Sequence, residues 1–213
     1  MKFTPIDKEN WPRREYFEHY FQKLPCTYSL TAELDITALL AGGEKFYPAM
    51  LYLLSTVVNR HEEFRTAINS EGVLGVFDSM NPSYTVFHSD TETFSTLWTE
   101  YDESRELFKR RCEADMKAFG AVHKLTGKPD APENCFPVSM IPWTGFTGFN
   151  LNLAGGFDYL LPIFTMGRYS ERSGRAFLPL SVQVHHAVCD GFHLSRFLKE
   201  VQALIDQGRD SSR

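Results

Sequence analysis

Hydrophobic positions in this chain alternate with polar ones over some stretches and recur every three to four residues over others. Alternation predicts strands at Cys26 to Leu34 (CTYSLTAEL), Ser83 to His88 (SYTVFH), Phe136 to Met140, Thr144 to Leu153 (TGFTGFNLNL), Leu161 to Tyr169 (LPIFTMGRY) and Phe177 to Val184. The last is the clearest, with Leu178, Leu180, Val182 and Val184 on one face. Arg65 to Phe77 reads as a hairpin turning at Ser70-Glu71-Gly72, and Ser170 to Gly174 as a second, polar turn.

Helical spacing begins at Asn10, which precedes Trp11-Pro12 and is predicted as an N-cap, and continues to about Lys23. Pro25 ends that helix, and Arg13 and Arg14 fall in its first turn, where the helix dipole disfavours positive charge. A run apolar on nearly all sides, Tyr47 to His61, predicts a deeply buried helix, and Phe94 to Phe119 a third with one charged face. Ala121 to Glu133, with Gly127, Pro129 and Pro132, reads as an irregular loop. The final helix opens at Gly191 with an apolar stripe of Leu194, Phe197, Leu198, Val201, Leu204 and Ile205; Gly208 would cap it, and the tail DSSR would fray.

Helices and strands interspersed in this way, without repeats or linker-like boundaries, predict one α/β domain over residues 1–213. It would be a two-layer sandwich, with a mixed, mostly antiparallel sheet covered by helices. Composition narrows the function classes. A net charge of −5 with no basic block excludes a nucleic-acid partner. The start, MKFTPIDKENW, has no apolar targeting core, and no apolar run reaches membrane-spanning length, so a cytoplasmic protein with no membrane partner is expected. Cys26, Cys112, Cys135 and Cys189 form no CxxC pair, which argues for reduced thiols. The 18 phenylalanines predict thick core layers, with a pocket for a flat organic ligand as the less common use.

Chemistry concentrates in VQVHHAVCDGFH, Val182 to His193, between the clearest strand and the last helix. His186, Cys189, Asp190 and His193 are metal-ligand types, but no structural-zinc spacing fits and no second cluster supplies a distant pair. Cys189 as a nucleophile needs a base spatially opposite it, and a thiol in so tight a turn usually points elsewhere. A structural role also fits, with His185 or His186 satisfying backbone groups and Asp190 as an N-cap. Finally, His186 directly after the strand can project its imidazole into a cleft as a general base that deprotonates an alcohol. That chemistry needs an oxyanion donor, for which Ser139 and Thr165 on neighbouring strands, and the other serines, are the candidates. An arginine could hold Asp190 bidentately.

HHAVCDGF resembles the active-site stretch of the type A chloramphenicol acetyltransferases. So, in the same order, do WPRREYFEHY, KFYPAMLYLL, EFRTAI, YTVFHSDTETFSTLW, VSMIPWTGFTGFNLN, PIFTMGRY and PLSVQVHHAVCDGFH, which span most of the chain. The resemblance implies the CoA-dependent acyltransferase fold and a homotrimer with active sites at subunit interfaces. It implies direct acetyl transfer from acetyl-CoA, a co-substrate rather than a tightly bound cofactor, to the primary hydroxyl of chloramphenicol, which would confer antibiotic resistance. His186 would be the base, its tautomer set by its own backbone carbonyl. Ser139 would donate to the oxyanion, Thr165 would hold a water, and Arg13 with Asp190 would form a buried ion pair.

By the same resemblance Tyr20, Leu24, Cys26, Tyr28, Phe94, Thr126, Leu151 and Ile163 would line the antibiotic pocket. Coenzyme A would meet Lys45, Tyr47, Phe149, Arg168 and Tyr169. Thr126 stands where the family often has phenylalanine, His19 where it is often apolar, and Gly145 and Gly148 where it is commonly polar. These departures bear on acceptor affinity, one missing apolar contact being worth roughly 1–3 kcal/mol. The alternatives are a related acetyl-CoA O-acetyltransferase with another alcohol acceptor, and a catalytically silent binder of hydrophobic ligands.

Overall fold

The strand that alternates most clearly in the sequence lies inside the sheet. The protein is described by a computed structural model covering residues 1–153 and 158–207. In chain order its elements are β1 (Phe3–Pro5), α1 (Arg14–Phe17), a π-helical turn (Glu18–Lys23), β2 (Thr27–Asp35), α2 (Thr37–Ala41), α3 (Phe46–Arg60) and a 3-10 turn (Glu62–Phe64). There follow β3 (Thr66–Ile68), β4 (Leu74–Phe77), β5 (Asn81–His88), β6 (Thr93–Trp98), α4 (Arg105–Phe119), β7 (Cys135–Ile141), β8 (Ile163–Gly167), β9 (Ser170–Arg172), β10 (Arg175–His185) and α5 (Gly191–Gln207).

The main sheet runs β2-β10-β8-β7-β5-β6, with β9 joined to the start of β10. Strand β10 is antiparallel to β2, β8 and β9, and β5 to β6, whereas β5–β7 and β7–β8 are parallel. The sheet is therefore mixed and mostly antiparallel, as the pattern predicts. The hairpin at Arg65 to Phe77 is present, but it joins β1 in a separate three-stranded sheet.

Leu178, Leu180, Val182 and Val184 are all buried, as their alternation requires. The opposite face of β10 carries Ser181, Gln183 and His185, and these are buried too. A buried polar face needs partners. The Ser181 hydroxyl donates to the Phe149 carbonyl at 2.5 Å, and Gln183 both donates to the Leu151 carbonyl (2.9 Å) and accepts from its N–H (2.7 Å). This pairing explains why Thr144 to Leu153 is not the strand its alternation predicts. Its backbone bonds to side chains of β10 rather than to a ladder, and Gly145 and Gly148 weaken any intrinsic strand preference.

Two helix boundaries also differ from expectation. Thr93–Trp98 is β6, paired with β5, with Ser95 and Leu97 buried. Helix α4 starts only at Arg105, where the Ser104 side chain accepts from the Leu107 N–H. The alternation TFSTLW was masked by the charged helical pattern that follows it. Near the N-terminus, Asn10 does not cap a helix; its side chain donates to Asp7 instead. Helix α1 begins at Arg14 with Arg13 in the capping position, and it widens into the π-helical turn that carries Tyr20. The expected capping glycine, Gly208, and the tail lie outside the described residues.

Helix α3 is buried over most of its length and packs against α4 and α5. In α5, Leu194, Phe197, Val201 and Ile205 are the buried stripe, with Leu198 and Leu204 half-buried at its margin. Phe197 lies 5.0 Å from the Phe64 ring and 5.2 Å from that of Phe164 on β8, so one side chain joins helix, turn and sheet. Phe197→Ala is expected to cost about 4 kcal/mol, from lost burial plus the cavity left behind. Urea unfolding measures this, and a loss under about 1 kcal/mol would contradict the packing role.

Candidate active site

Strand β10 ends at His185, and the chain turns through His186–Asp190 into α5. The Val188 and Cys189 N–H groups both return to the His185 carbonyl, and the Ala187 N–H donates to its Nδ1. His185 is buried and serves the turn. His186 is fixed differently. Its N–H donates to the Cys26 carbonyl (2.9 Å), its ring stacks on Tyr20 at 4.0 Å, and the edge of Tyr28 lies 5.4 Å away. The side chain is 29% exposed, which leaves the imidazole accessible from outside.

Arg13 holds this turn from the far end of the sequence. It donates to both carboxylate oxygens of Asp190 (2.8 and 2.6 Å) and to the backbone carbonyls of His186 (2.9 Å) and Ala187 (2.8 Å). The bidentate fork satisfies the charge that sat awkwardly beside a helix start. Hydrogen bonding to Arg13 holds the Asp190 carboxyl below its usual range, against the opposing effect of burial. The carbonyl of His186 is thus engaged by Arg13. Its Nδ1, 3.1 Å from Asp190 Oδ1, has no hydrogen-bond partner among the described residues, so the bond to its own carbonyl that the family resemblance implies is not formed.

Two other chemistries recede. Cys189 is buried, and burial pushes its thiol up to about 12, too high for a ready thiolate. Among the described residues no three His, Cys, Asp or Glu side chains converge as metal ligands.

Ser139 and Thr165 stand opposite one another on β7 and β8, and Thr165 in turn pairs with Ser181 on β10. Both line an open, mostly apolar cavity of about 950 Å³, together with Tyr47, Phe94, Phe149 and Leu151. Its lining also includes Met116 and Lys117 of α4 and the contacting pair Phe87 and Trp143, which the sequence did not single out. Phe87 could have been found as the outward member of SYTVFH; the α4 residues carry no local signal. Tyr47 donates to the Thr85 carbonyl (3.3 Å), and burial raises its pKa.

The remaining expected residues are distributed around these two centres. Cys26 and Tyr28 lie beside His186, the Tyr28 hydroxyl donating to the Cys189 carbonyl and Tyr28 raised in pKa by burial. Leu24 is exposed, and Ile163 is buried opposite Gln183. Thr126 is exposed and bridges Thr96 without lining the cavity. Lys45 is exposed and pairs with Glu113, Arg168 is exposed, and Tyr169 lies 6.5 Å from Phe46. Within one chain His186 does not meet Ser139 or Thr165. It lies five positions along β10 from Ser181, roughly 16 Å at ~3.3 Å per residue.

A family model described as chloramphenicol acetyltransferase matches residues 1–202. A chloramphenicol acetyltransferase of Clostridium perfringens is 58% identical over 206 residues, covering 97% of this chain and 100% of its own. One of Campylobacter coli is 57% identical over 207 residues, with the same coverage of both chains. A solved chloramphenicol acetyltransferase superposes with a TM-score of 0.81 at 25% identity, covering 96% of this chain and 100% of that one. The dihydrolipoamide acetyltransferase of Azotobacter vinelandii matches at a TM-score of 0.65 and 19% identity, over 84% of this chain and 81% of that one, a likeness of fold alone.

Because the Asp190 carboxyl is held below its unfolded value, its pairing stabilises the fold above about pH 4, and that contribution is lost as pH falls through the lowered value. Asp190→Asn is expected to cost about 2 kcal/mol at pH 7, less than for a fully buried pair because the aspartate is partly exposed. The gap to the parent should close below about pH 4. Urea unfolding across that range measures it, and a gap independent of pH would contradict an ion-pair origin.

Proposed function

The chain belongs to the chloramphenicol acetyltransferase family, and from that membership we propose that it transfers the acetyl group of acetyl-CoA to the primary hydroxyl of chloramphenicol. Acetylation would inactivate the antibiotic and confer resistance. The observation that carries this proposal is the full-length match to the family by a chain whose HHxxxDG turn leaves His186 accessible under an Arg13 clamp.

In the proposed mechanism His186 Nε2 takes the proton of the acceptor hydroxyl as that oxygen attacks the thioester carbonyl, and gives it to the CoA thiolate when the tetrahedral intermediate breaks its C–S bond. The transfer is direct, without an acyl-enzyme, and the thiol of Cys189 in the same turn is buried with a raised pKa and ill suited to attack. Ser139 donates its hydroxyl to the oxyanion, and Thr165, its neighbour across the ladder, holds a water that serves the same intermediate. Asp190 and Arg13 shape the turn and move no proton. Stacking on Tyr20 restricts the ring to one plane.

His186 and Ser139 serve the same reaction only if they come from different subunits, because one chain holds them apart. A homotrimer, with His186 of each subunit facing the cavity of the next, would close the site. Exposure of Leu24, Phe94, Trp143 and Leu151 supports such packing, since large apolar side chains at both centres would otherwise face water. Tyr20, Leu24, Cys26 and Tyr28 would then meet the acceptor from the His186 side, and Phe94, Leu151 and Ile163 from the cavity side. Thr126, where the family often has phenylalanine, lies off that wall within one chain. The pantetheine arm would run past Tyr47 and Phe149, with Lys45, Arg168 and Tyr169 nearer the phosphates.

Two outcomes discriminate the proposal from an acetyltransferase for another alcohol and from a silent binder. Thiol release from acetyl-CoA should depend on chloramphenicol, and His186→Ala should lower kcat by ~10³-fold or more while ligand binding survives. Ser139→Ala should cost on the order of 10² in kcat. Co-expressing the two impaired variants should raise activity above that of either alone, through mixed trimers that hold one intact site. Absence of restoration in trimers verified by light scattering would sink the shared-site arrangement.

A further inference from the structure

Asp190 stands immediately before α5, where a carboxylate ordinarily accepts from the first amides of the helix. Here the carboxylate is turned to Arg13 instead. The other half of a capping box is in place. The Asp190 N–H donates to Nδ1 of His193 at 2.9 Å, three residues on, where a glutamate or glutamine usually reaches back. Nδ1 can accept only if the ring is neutral, with its proton on Nε2.

Charged groups from several elements face this ring. Glu63 of the 3-10 turn and Asp190, whose Oδ2 is 3.9 Å away, favour protonation; Arg13 and Arg196 oppose it. Arg196 is itself paired with Glu63, and Asp7 and Glu62 line the adjoining cavity of about 350 Å³ with His193. Burial outweighs the rest, so the pKa of His193 lies below its usual value.

We propose that His193 is a positioning residue for the active site: its neutral ring locks the Asp190 cap, and so the turn carrying His186, and its protonation releases that turn. A protonated ring would lose the Asp190 N–H and would compete with Arg13 for Asp190 Oδ2. Arg13 grips the His186 and Ala187 carbonyls as well, so a shift of its fork moves the base. This deepens the acetyl-transfer proposal and rests on it.

The sign follows from the lowered pKa. Between that value and about 6.5 the unfolded chain binds more protons than the fold, so this contribution is complete above about pH 6.5 and declines as pH falls through that window.

The test compares the parent with His193→Gln, a capping acceptor that does not titrate, and His193→Leu, which cannot accept. The acid limb of kcat/KM for chloramphenicol, read by thiol release at saturating acetyl-CoA, should involve two protons in the parent and one in the glutamine variant. The leucine variant should lose roughly 10-fold to 100-fold in kcat with little change in KM, as for a misplaced base. The glutamine variant should recover most of that loss. A leucine variant with the parent's kcat, or a glutamine variant that keeps the two-proton limb, would overturn the inference. Stability measured by urea between pH 7 and 5, without substrate, gives a separate readout. The parent should weaken more steeply than the glutamine variant, and equal slopes would overturn the inference. If thiol release proves independent of chloramphenicol while the slopes differ, the acetyl-transfer proposal fails and the capping role of His193 stands.

Discussion

One guanidinium ties the start of this chain to its last turn. Arg13 makes four hydrogen bonds to His186, Ala187 and Asp190, more than 170 residues away in sequence. Each partner would otherwise be an unsatisfied polar group in a half-buried turn, so the clamp and the turn depend on one another. A lysine could not replace it, because a single ammonium lacks the planar fork that meets both carboxylate oxygens and still reaches two carbonyls. The helix start pays for this arrangement, since its N-cap carboxylate faces away from the helix and the backbone is held instead by the imidazole of His193.

Around that clamp the sheet arranges two centres of different character. Strand β10 is buried on both faces, its apolar side against the helices and its polar side against the segment that carries Phe149 and Leu151. The accessible imidazole lies at one end of this strand. The hydroxyls of Ser139 and Thr165 lie on the neighbouring strands, level with its middle and within an apolar cavity. An apolar wall around hydroxyl donors suits a reaction in which charge develops on a carbonyl oxygen, because such donors act more strongly where water is excluded.

Legibility in the sequence followed the physical origin of each element. Strand β10, helix α3 and helix α5 are set by burial, and burial writes a period into the residues, so their existence and their inward faces were readable. Thr144 to Leu153 alternates just as well yet is no strand, since its backbone partners are the side chains of Ser181 and Gln183 and no local pattern announces that. Strand β6 was absorbed into the helix after it because charged residues from Asp102 onward dominate the window. Asn10 had the composition of a cap but found Asp7, while Arg13 took the capping position for reasons that lie at the other end of the chain.

By itself the sequence determined most of the elements, the mixed sheet and the cluster of proton-bearing groups between Val182 and His193, because each is encoded by neighbours along the chain. Its ordered motifs also sufficed to mark the family. Tertiary structure decided where each of those groups stands. It buried Cys189 and His185, left His186 accessible against Tyr20, paired Asp190 with Arg13 and gave the Asp190 N–H to the ring of His193. It also held His186 apart from Ser139 and Thr165, a separation fixed by strand register. Those assignments depend on distance in space between residues far apart in sequence, and no spacing rule along the chain carries that information.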